Sequence, residues 1–386
     1  MKKILVSLIS EQTVPNVLVA NHFKPDVYWF VTTKKMEKEK RTDSTIRALE
    51  LRGHHLSSTN MVKFFVDQDS ITHCIERFEE EVDSIGEEVN YCVNITGGNK
   101  VMALGAVEVF RNIGEKVIIG YMPLGKNEFI QVYPRKKPFK TFFLDTKLSL
   151  REYLACYGFT IRNLDDLTRI RKLALERKEL SEWILSNYEK LRGFLGFMYT
   201  CLGQKRKEKK YFLSEVFDRH LSETERSFAK QLGIEIFDRR LQKQFNKDEI
   251  HYITGGWLDE YVYNVVAELV TLNIANDVLL NIQIQSAHGA DSELDVAFMK
   301  DNSFYHIECK TLGDQEEQAI VRDEIYKKGA ISTLLGKGTK RAIICTTLNS
   351  VKDNVKRRAE DYDLEVLSIT ETRNLKEKLM TGFGLA

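Results

Sequence analysis

The strongest constraint on the fold lies towards the carboxyl end, where Asp295 is followed thirteen residues later by Glu308-Cys309-Lys310. Residues 294–299, Leu-Asp-Val-Ala-Phe-Met, and 304–310, Phe-Tyr-His-Ile-Glu-Cys-Lys, are strand-like runs joined by the polar Lys300-Asp301-Asn302-Ser303. This pattern predicts a β-hairpin. With Asp301 and Asn302 as a two-residue loop, antiparallel register sets Asp295 opposite Glu308. Side chains alternate along each strand, so Asp295, Glu308 and Lys310 share one face, while Leu294, Val296, Phe298, Tyr305, Ile307 and Cys309 form an apolar one. Two adjacent carboxylates are hard oxygen ligands suited to Mg²⁺ or Mn²⁺. A neighbouring ammonium can position a water or steady the charge of a pentavalent phosphate. Such a set suits phosphodiester hydrolysis. Glu-x-Lys alone is a weak signal in a chain that is 29% charged, and at Glu176/Lys178 and Glu208/Lys210 it reads as solvated surface. The apolar strand around Glu308 and the cross-strand aspartate set this copy apart. His306 falls on the carboxylate face and reads as a surface histidine. Glu293, two residues before Asp295, either shares the site or caps the exposed end of the hairpin.

The flanking elements supply context. Gly255-Gly256 opens a helix that carries Asp259 and Glu260, with Leu258, Val262 and Val265 at helical spacing. A strand over 278–286 precedes the hairpin. After Lys310 the pattern predicts an amphipathic helix over 316–335, a buried strand over 341–347, a basic helix and a last strand over 364–369. In this order of elements and acids the chain resembles the PD-(D/E)xK nuclease superfamily, with the restriction-endonuclease-like fold. Asp295 matches the motif aspartate, Glu308 and Lys310 match its Glu-x-Lys, and Asp259 or Glu260 matches the acid of the first helix. Leu294 stands where that motif often has proline. The resemblance implies an ion of Mn²⁺ or Mg²⁺ held by Asp295, Glu308 and the backbone carbonyl of Cys309. It also implies a water oriented by Lys310, with Asp259 or Glu260 supporting the water shell of the ion.

At 386 residues the chain is long enough for two domains. Over 1–140, apolar strands at 3–10, 26–33, 61–66, 91–96 and 116–121 alternate with helices, and a short return follows at 129–133. Near-continuous apolar strands linked by helices imply a parallel, doubly wound sheet, whose ligand sits at the carboxyl ends of its strands. Those ends carry Ser10-Glu11-Gln12-Thr13 and Thr96-Gly97-Gly98-Asn99-Lys100. A glycine turn into a helix, with Lys100 beside it, suits a phosphate. The first strand lacks Gly-x-Gly-x-x-Gly and there is no Walker A loop, which argues against an NAD or ATP enzyme. A domain with Thr-Gly-Gly-Asn-Lys after its fourth strand, ahead of a nuclease, resembles the CARF family of CRISPR-associated sensors. The whole chain is similar to the CRISPR ancillary nucleases that join CARF to PD-(D/E)xK. The resemblance implies a homodimer that binds a cyclic oligoadenylate, most often cyclic tetra-adenylate, and is switched on by it. Each subunit would then offer Ser10, Gln12, Gly98, Asn99 and Lys100 to half of the ring.

Residues 141–245 have helical spacing and many charges, and read as a helical connector to a nuclease domain over 246–386. The basic run 205–210 could touch a phosphate backbone, but such a charge run reads first as a solvated loop. With 57 basic and 56 acidic residues, any nucleic-acid surface must be a local patch. The six cysteines form no Cys-x-x-Cys pair and suit free thiols in a cytoplasmic protein. No segment approaches the roughly twenty apolar residues of a membrane span, and Met1-Lys-Lys-Ile leads straight into the first strand without a signal peptide. None of the eight histidines has an arginine five positions earlier, which argues against a metal-independent HEPN ribonuclease. The expected function is a cyclic tetra-adenylate-activated, metal-dependent endonuclease of type III CRISPR antiviral defence. Single-stranded DNA, RNA and duplex DNA stay open as substrates. A constitutive restriction or repair nuclease is the first alternative. A ligand-sensing, non-catalytic regulator with a winged helix in its middle segment is the second.

Overall fold

The computed structural model describes residues 1–85, 88–135, 138–311, 324–325, 335–336 and 342–385. The first sheet comprises β1 (Lys2–Leu8), β2 (Val27–Thr32), β3 (Met61–Phe65), β4 (Val89–Asn94), β5 (Val117–Tyr121), β6 (Glu128–Tyr133) and β7 (Thr141–Phe143), in the order β3-β2-β1-β4-β5-β6-β7. The first five strands are parallel, and β6 and β7 return antiparallel. Every side chain of β2 is buried, because helices cover both faces of a parallel sheet and leave no wet side. The chain winds outwards from β1 through β2 to β3 and then starts again at β4. The topological switch therefore lies between β1 and β4.

A capping box between Ser149 and Glu152 opens the helix Leu150–Cys156, closing two of its unpaired amides. The strand β8 (Phe159–Ile161) follows at once and pairs with the second sheet through Ile161 and Ile284. Helices Leu164–Glu176, Lys178–Ser186 and Tyr188–Leu202 come next. The connector then departs from its helical pattern. β9 (Lys210–Val216), β10 (Glu235–Phe237) and β11 (Arg240–Asn246) form a three-stranded antiparallel sheet. Its alternation is sparse, since of these strands only Leu213, Leu241 and Phe245 are buried, among charged neighbours.

The second sheet contains β12 (Asp277–Ser286), β13 (Asp291–Lys300), β14 (Ser303–Lys310), β15 (Ala342–Thr346) and β16 (Leu364–Leu367), ordered β16-β15-β14-β13-β12-β8. The helix expected over 316–335 lies outside the described residues, apart from 324, 325 and 335. The hairpin has the anticipated register, with Lys300 paired to Ser303 and Val296 to Ile307. Asp301 and Asn302 sit at φ 49° and 61°, the left-handed conformation that a two-residue turn needs and that Asp and Asn tolerate.

Both faces of this hairpin are covered, which corrects the expectation of one polar face. Val296, Phe298, Ile307 and Cys309 pack with Leu258, Val262 and Val266 of the helix Trp257–Thr271. On the other face Ala297, Met299 and Phe304 join Leu148 and Tyr153 of the connector and Leu5, Phe30 and Phe129 of the first domain in one apolar cluster. The Tyr153 and Phe304 rings stack at 5.4 Å. Burying one such ring is worth roughly 1.5–3 kcal/mol. His306 is 1% exposed in this layer, not on the surface. Only the open end of the hairpin, at 295, 308 and 310, remains polar. Its closed end is tied to the connector, where Asn302 donates to the Thr146 carbonyl at 2.7 Å and accepts the Leu148 N–H at 2.8 Å, and to the first domain, where Asn302 donates to Asn127 at 3.1 Å. Among the described residues no helix is long and apolar enough to cross a membrane.

Candidate active site

Main-chain pairing of β13 with β14 ends at Val296 and Ile307. One step further, the Asp295 carboxylate accepts the Cys309 backbone N–H at 2.8 Å. On the other side of β13, pairing with β12 runs to Leu280 and Val296 and resumes at Ile282 and Leu294. Asn281, between them, takes φ 51°. The inward sense of both strands switches there, since Leu280 and Val296 face the helix Trp257–Thr271 whereas Ile282 and Leu294 face the other cluster. Asp295 stands at this switch, at the edge of a cleft of about 390 Å³ lined by Asp259, Asn281, Glu293, Asp295, Glu308 and Lys310 among others.

Asp259 enters the cleft from the first turn of the helix Trp257–Thr271. Its carboxylate, that of Asp295 and the Cys309 Sγ offer atoms within 4.8 Å of one another. Burial, and then the negative charges of Asp295, Glu308 and Glu260, hold the Asp259 acid well above the usual carboxylate range. Burial, with Asp259 next, also pushes the Cys309 thiol up, so the sulfur is protonated and the oxygens are the better donors. Glu308 is buried and lies 3.0 Å from the Lys310 ammonium, which is 3.6 Å from Glu324. Burial opposes the Lys310 charge, but Glu308, Asp295 and Glu324 together outweigh it and raise its pKa. Crowded carboxylates in a half-buried space fit a hard dication, which would offset their mutual repulsion.

Glu260 is not in this cleft. It is 5% exposed and accepts from Arg177, at 3.0 Å through Nε and again through Nη2. Burial raises its pKa to about 7 against the pull of Arg177. Of the two candidate acids, Asp259 is therefore the one beside Asp295 and Glu308. Three cleft residues, Tyr199, Arg206 and His251, were not among the sequence candidates. Arg206 belongs to the run that reads as a solvated loop, yet its guanidinium is held by the Thr254 hydroxyl at 2.8 Å and by the Thr254 carbonyl.

At the switch point of the first sheet, the loops after β1 and β4 touch. A Cβ on Gly97 would strike the Leu8 carbonyl, and Gly98 takes φ 69°, so both positions need glycine. Asn99 caps the helix Lys100–Ile113 by accepting the Met102 N–H at 2.9 Å. Asn99 and Lys100 are exposed there, and Ser10 and Gln12 are half-buried beside them. Three of the expected ligand residues do other work. Thr13 is fully buried and donates to the Cys156 carbonyl. Thr96 donates to Asn94 at 2.5 Å and accepts the Met122 N–H at 2.8 Å. Glu11 is paired with Lys35 at 2.9 Å, and its charge would repel an anion.

Residues 4–153 match the family model of the Card1 CARF domain, and residues 246–385 match that of the Card1-like endonuclease domain. The chain thus joins a CARF domain of the Card1 type to a Card1-like endonuclease domain. Two solved structures share its architecture. One is Can2 from Sulfobacillus thermosulfidooxidans in complex with cyclic tetra-adenylate, with a TM-score of 0.77 and 21% identity over 99% of both chains. The other is VC1899 from Vibrio cholerae, with a TM-score of 0.78 and 21% identity over 99% of this chain and 98% of that one. No curated protein matches by sequence.

The loops of this CARF domain touch the connector directly. The Tyr157 hydroxyl donates to Gln12 at 3.3 Å, next to the Thr13 contact with Cys156. The Tyr157 ring fills the place of a Cβ on Gly336, and Tyr153 donates to the Leu335 carbonyl at 2.9 Å. From Tyr157 the chain runs into β8, the edge strand of the endonuclease sheet.

Proposed function

We propose that this protein is a metal-dependent endonuclease, switched on by cyclic tetra-adenylate bound across two copies of its CARF domain, in type III CRISPR antiviral defence. The observation that carries the reading is the convergence of Asp259, Asp295 and Glu308 with a charged Lys310 in one cleft. Asp259, Asp295 and Glu308 would hold Mn²⁺ or Mg²⁺, with the Cys309 carbonyl as a further donor. When bound, such an ion activates water and offsets charge on the phosphate. Lys310, held protonated by its carboxylate neighbours, cannot take a proton from water; it orients the water and balances charge. Glu308, 3.0 Å away, fixes the position of that ammonium.

At the CARF end, Ser10, Gln12, Gly98, Asn99 and Lys100 would receive the activator, with the helix N-terminus and Lys100 answering its phosphates. A ring of two-fold symmetry needs a two-fold site, hence a homodimer. Cyclic tetra-adenylate in the Can2 complex supports this choice of ligand. The same metal chemistry serves single-stranded DNA, RNA and duplex DNA.

The test is a pair of variants assayed for both activities. Glu308→Ala abolishes cutting and still binds the activator; Lys100→Ala weakens activator binding and retains cutting at saturating activator. Equal loss of both activities in either variant removes the two-module reading.

A further inference from the structure

Within the nuclease reading, on which this inference rests, we propose that Tyr199 and Arg206 form a seat for one nucleotide of the substrate strand, its base on the ring and its phosphate at the guanidinium. The helix Tyr188–Leu202 buries Leu195, Met198 and Leu202 but leaves Tyr199 55% exposed. A lone exposed aromatic is ordinary. This one lines the carboxylate cleft.

Arg206 stands beside it, with its guanidinium 5.7 Å from the ring centroid. Among the described cleft residues only Arg206 and Lys310 are cationic. Lys310 is engaged by Glu308 and Glu324, whereas Arg206 is anchored by the neutral Thr254. Its charge thus stays available at the mouth of a cleft otherwise lined by acids. A flat ring next to a fixed guanidinium matches a base next to its phosphate. Stacking is indifferent to base identity, because every base has a π-face. A cleft of about 390 Å³ has room for one nucleotide. The exposed Lys207, Lys209 and Lys210 follow in the sequence, with Glu208 among them.

The experiment compares wild type, Tyr199→Ala, Tyr199→Phe and Tyr199→Trp on labelled single-stranded DNA and RNA, intact or with one abasic position scanned along the strand. Cleavage is followed with Mn²⁺ and cyclic tetra-adenylate, and binding by fluorescence anisotropy with Ca²⁺ in place of Mn²⁺. In wild type, one abasic position raises KM and Kd by about 5- to 150-fold, the range of a lost stacking contact. Tyr199→Ala shows the same rise on the intact strand and no further rise on the abasic one, while Tyr199→Phe and Tyr199→Trp recover the wild-type pattern. If the abasic penalty in Tyr199→Ala equals that of wild type, the seat is overturned and the nuclease reading stands. If wild type cuts and binds no strand, both fall.

Discussion

The Asp295 carboxylate accepts the Cys309 backbone N–H at 2.8 Å, where the main-chain ladder of the hairpin ends. The group proposed to hold the metal therefore also finishes the strand pairing. Asp295→Asn keeps an acceptor oxygen and nearly the same volume. It should retain stability within about 1 kcal/mol and lose cutting by about 100-fold or more, the scale seen when a preorganised catalytic group is removed. Asp295→Ala should in addition lose about 1–3 kcal/mol, from the amide left unpaired. Urea denaturation beside cleavage rates separates the two effects, and an Asp295→Asn protein that cuts normally counts against the site.

Adjacent acids on one helix have opposite roles. Glu260 is locked to Arg177, whose guanidinium also lies 4.4 Å from the centre of the Tyr252 ring. Arg177→Met leaves a buried carboxylate alone and should cost about 3–5 kcal/mol. Asp259→Asn removes repulsion from Asp295 and Glu308, so thermal unfolding of the metal-free protein should move to higher temperature while cutting is lost. Calorimetry of both variants checks the contrast; destabilisation by Asp259→Asn would contradict it.

His251 should make stability fall in mild acid. Burial, then Arg206 and Arg177, pushes its pKa down to about 4. The unfolded chain takes up this proton near pH 6.5, before the folded one does, so its contribution is full above that value and is lost as pH falls towards about 4. The loss is about 3 kcal/mol. The difference in urea midpoint between wild type and His251→Gln should shrink from pH 7 to pH 4.5; a constant difference would remove this assignment.

The hairpin joins the two ends of the mechanism. Its loop is held by Asn302 to Asn127 of the CARF domain and to Thr146 and Leu148 of the connector, and its open end carries Asp295 and Glu308. At φ 61° Asn302 can become glycine without strain in the turn. Asn302→Gly should bind the activator with wild-type affinity yet lower the ratio of rates with and without it. An unchanged ratio would place the coupling elsewhere, with the contact between Tyr157 and Gln12 as the next candidate.

What the sequence made legible was local. Alternation in 294–299 and 304–310, with Asp-Asn between them, specified the hairpin and its register, and apolar runs marked β1 to β5. What stayed hidden depends on distant segments. Tyr153 and Leu148 bury the face around His306 from across the chain, and no window around His306 contains them. Asp259 and Glu260 are separated by about 100° on a helix, and only the position of Arg177 shows which one turns away from the cleft. β8, at three residues, is too short to carry a period. Tyr199 and Arg206 belong to the site because the connector folds back over it.

The most direct test of a switched, metal-dependent nuclease is cleavage of labelled single-stranded DNA, single-stranded RNA and supercoiled plasmid with Mn²⁺, with and without cyclic tetra-adenylate, using Asp295→Asn as control. The account predicts cutting only when metal and activator are both present, and none in the control. Equal cutting without the activator, or cutting by the control, would contradict it.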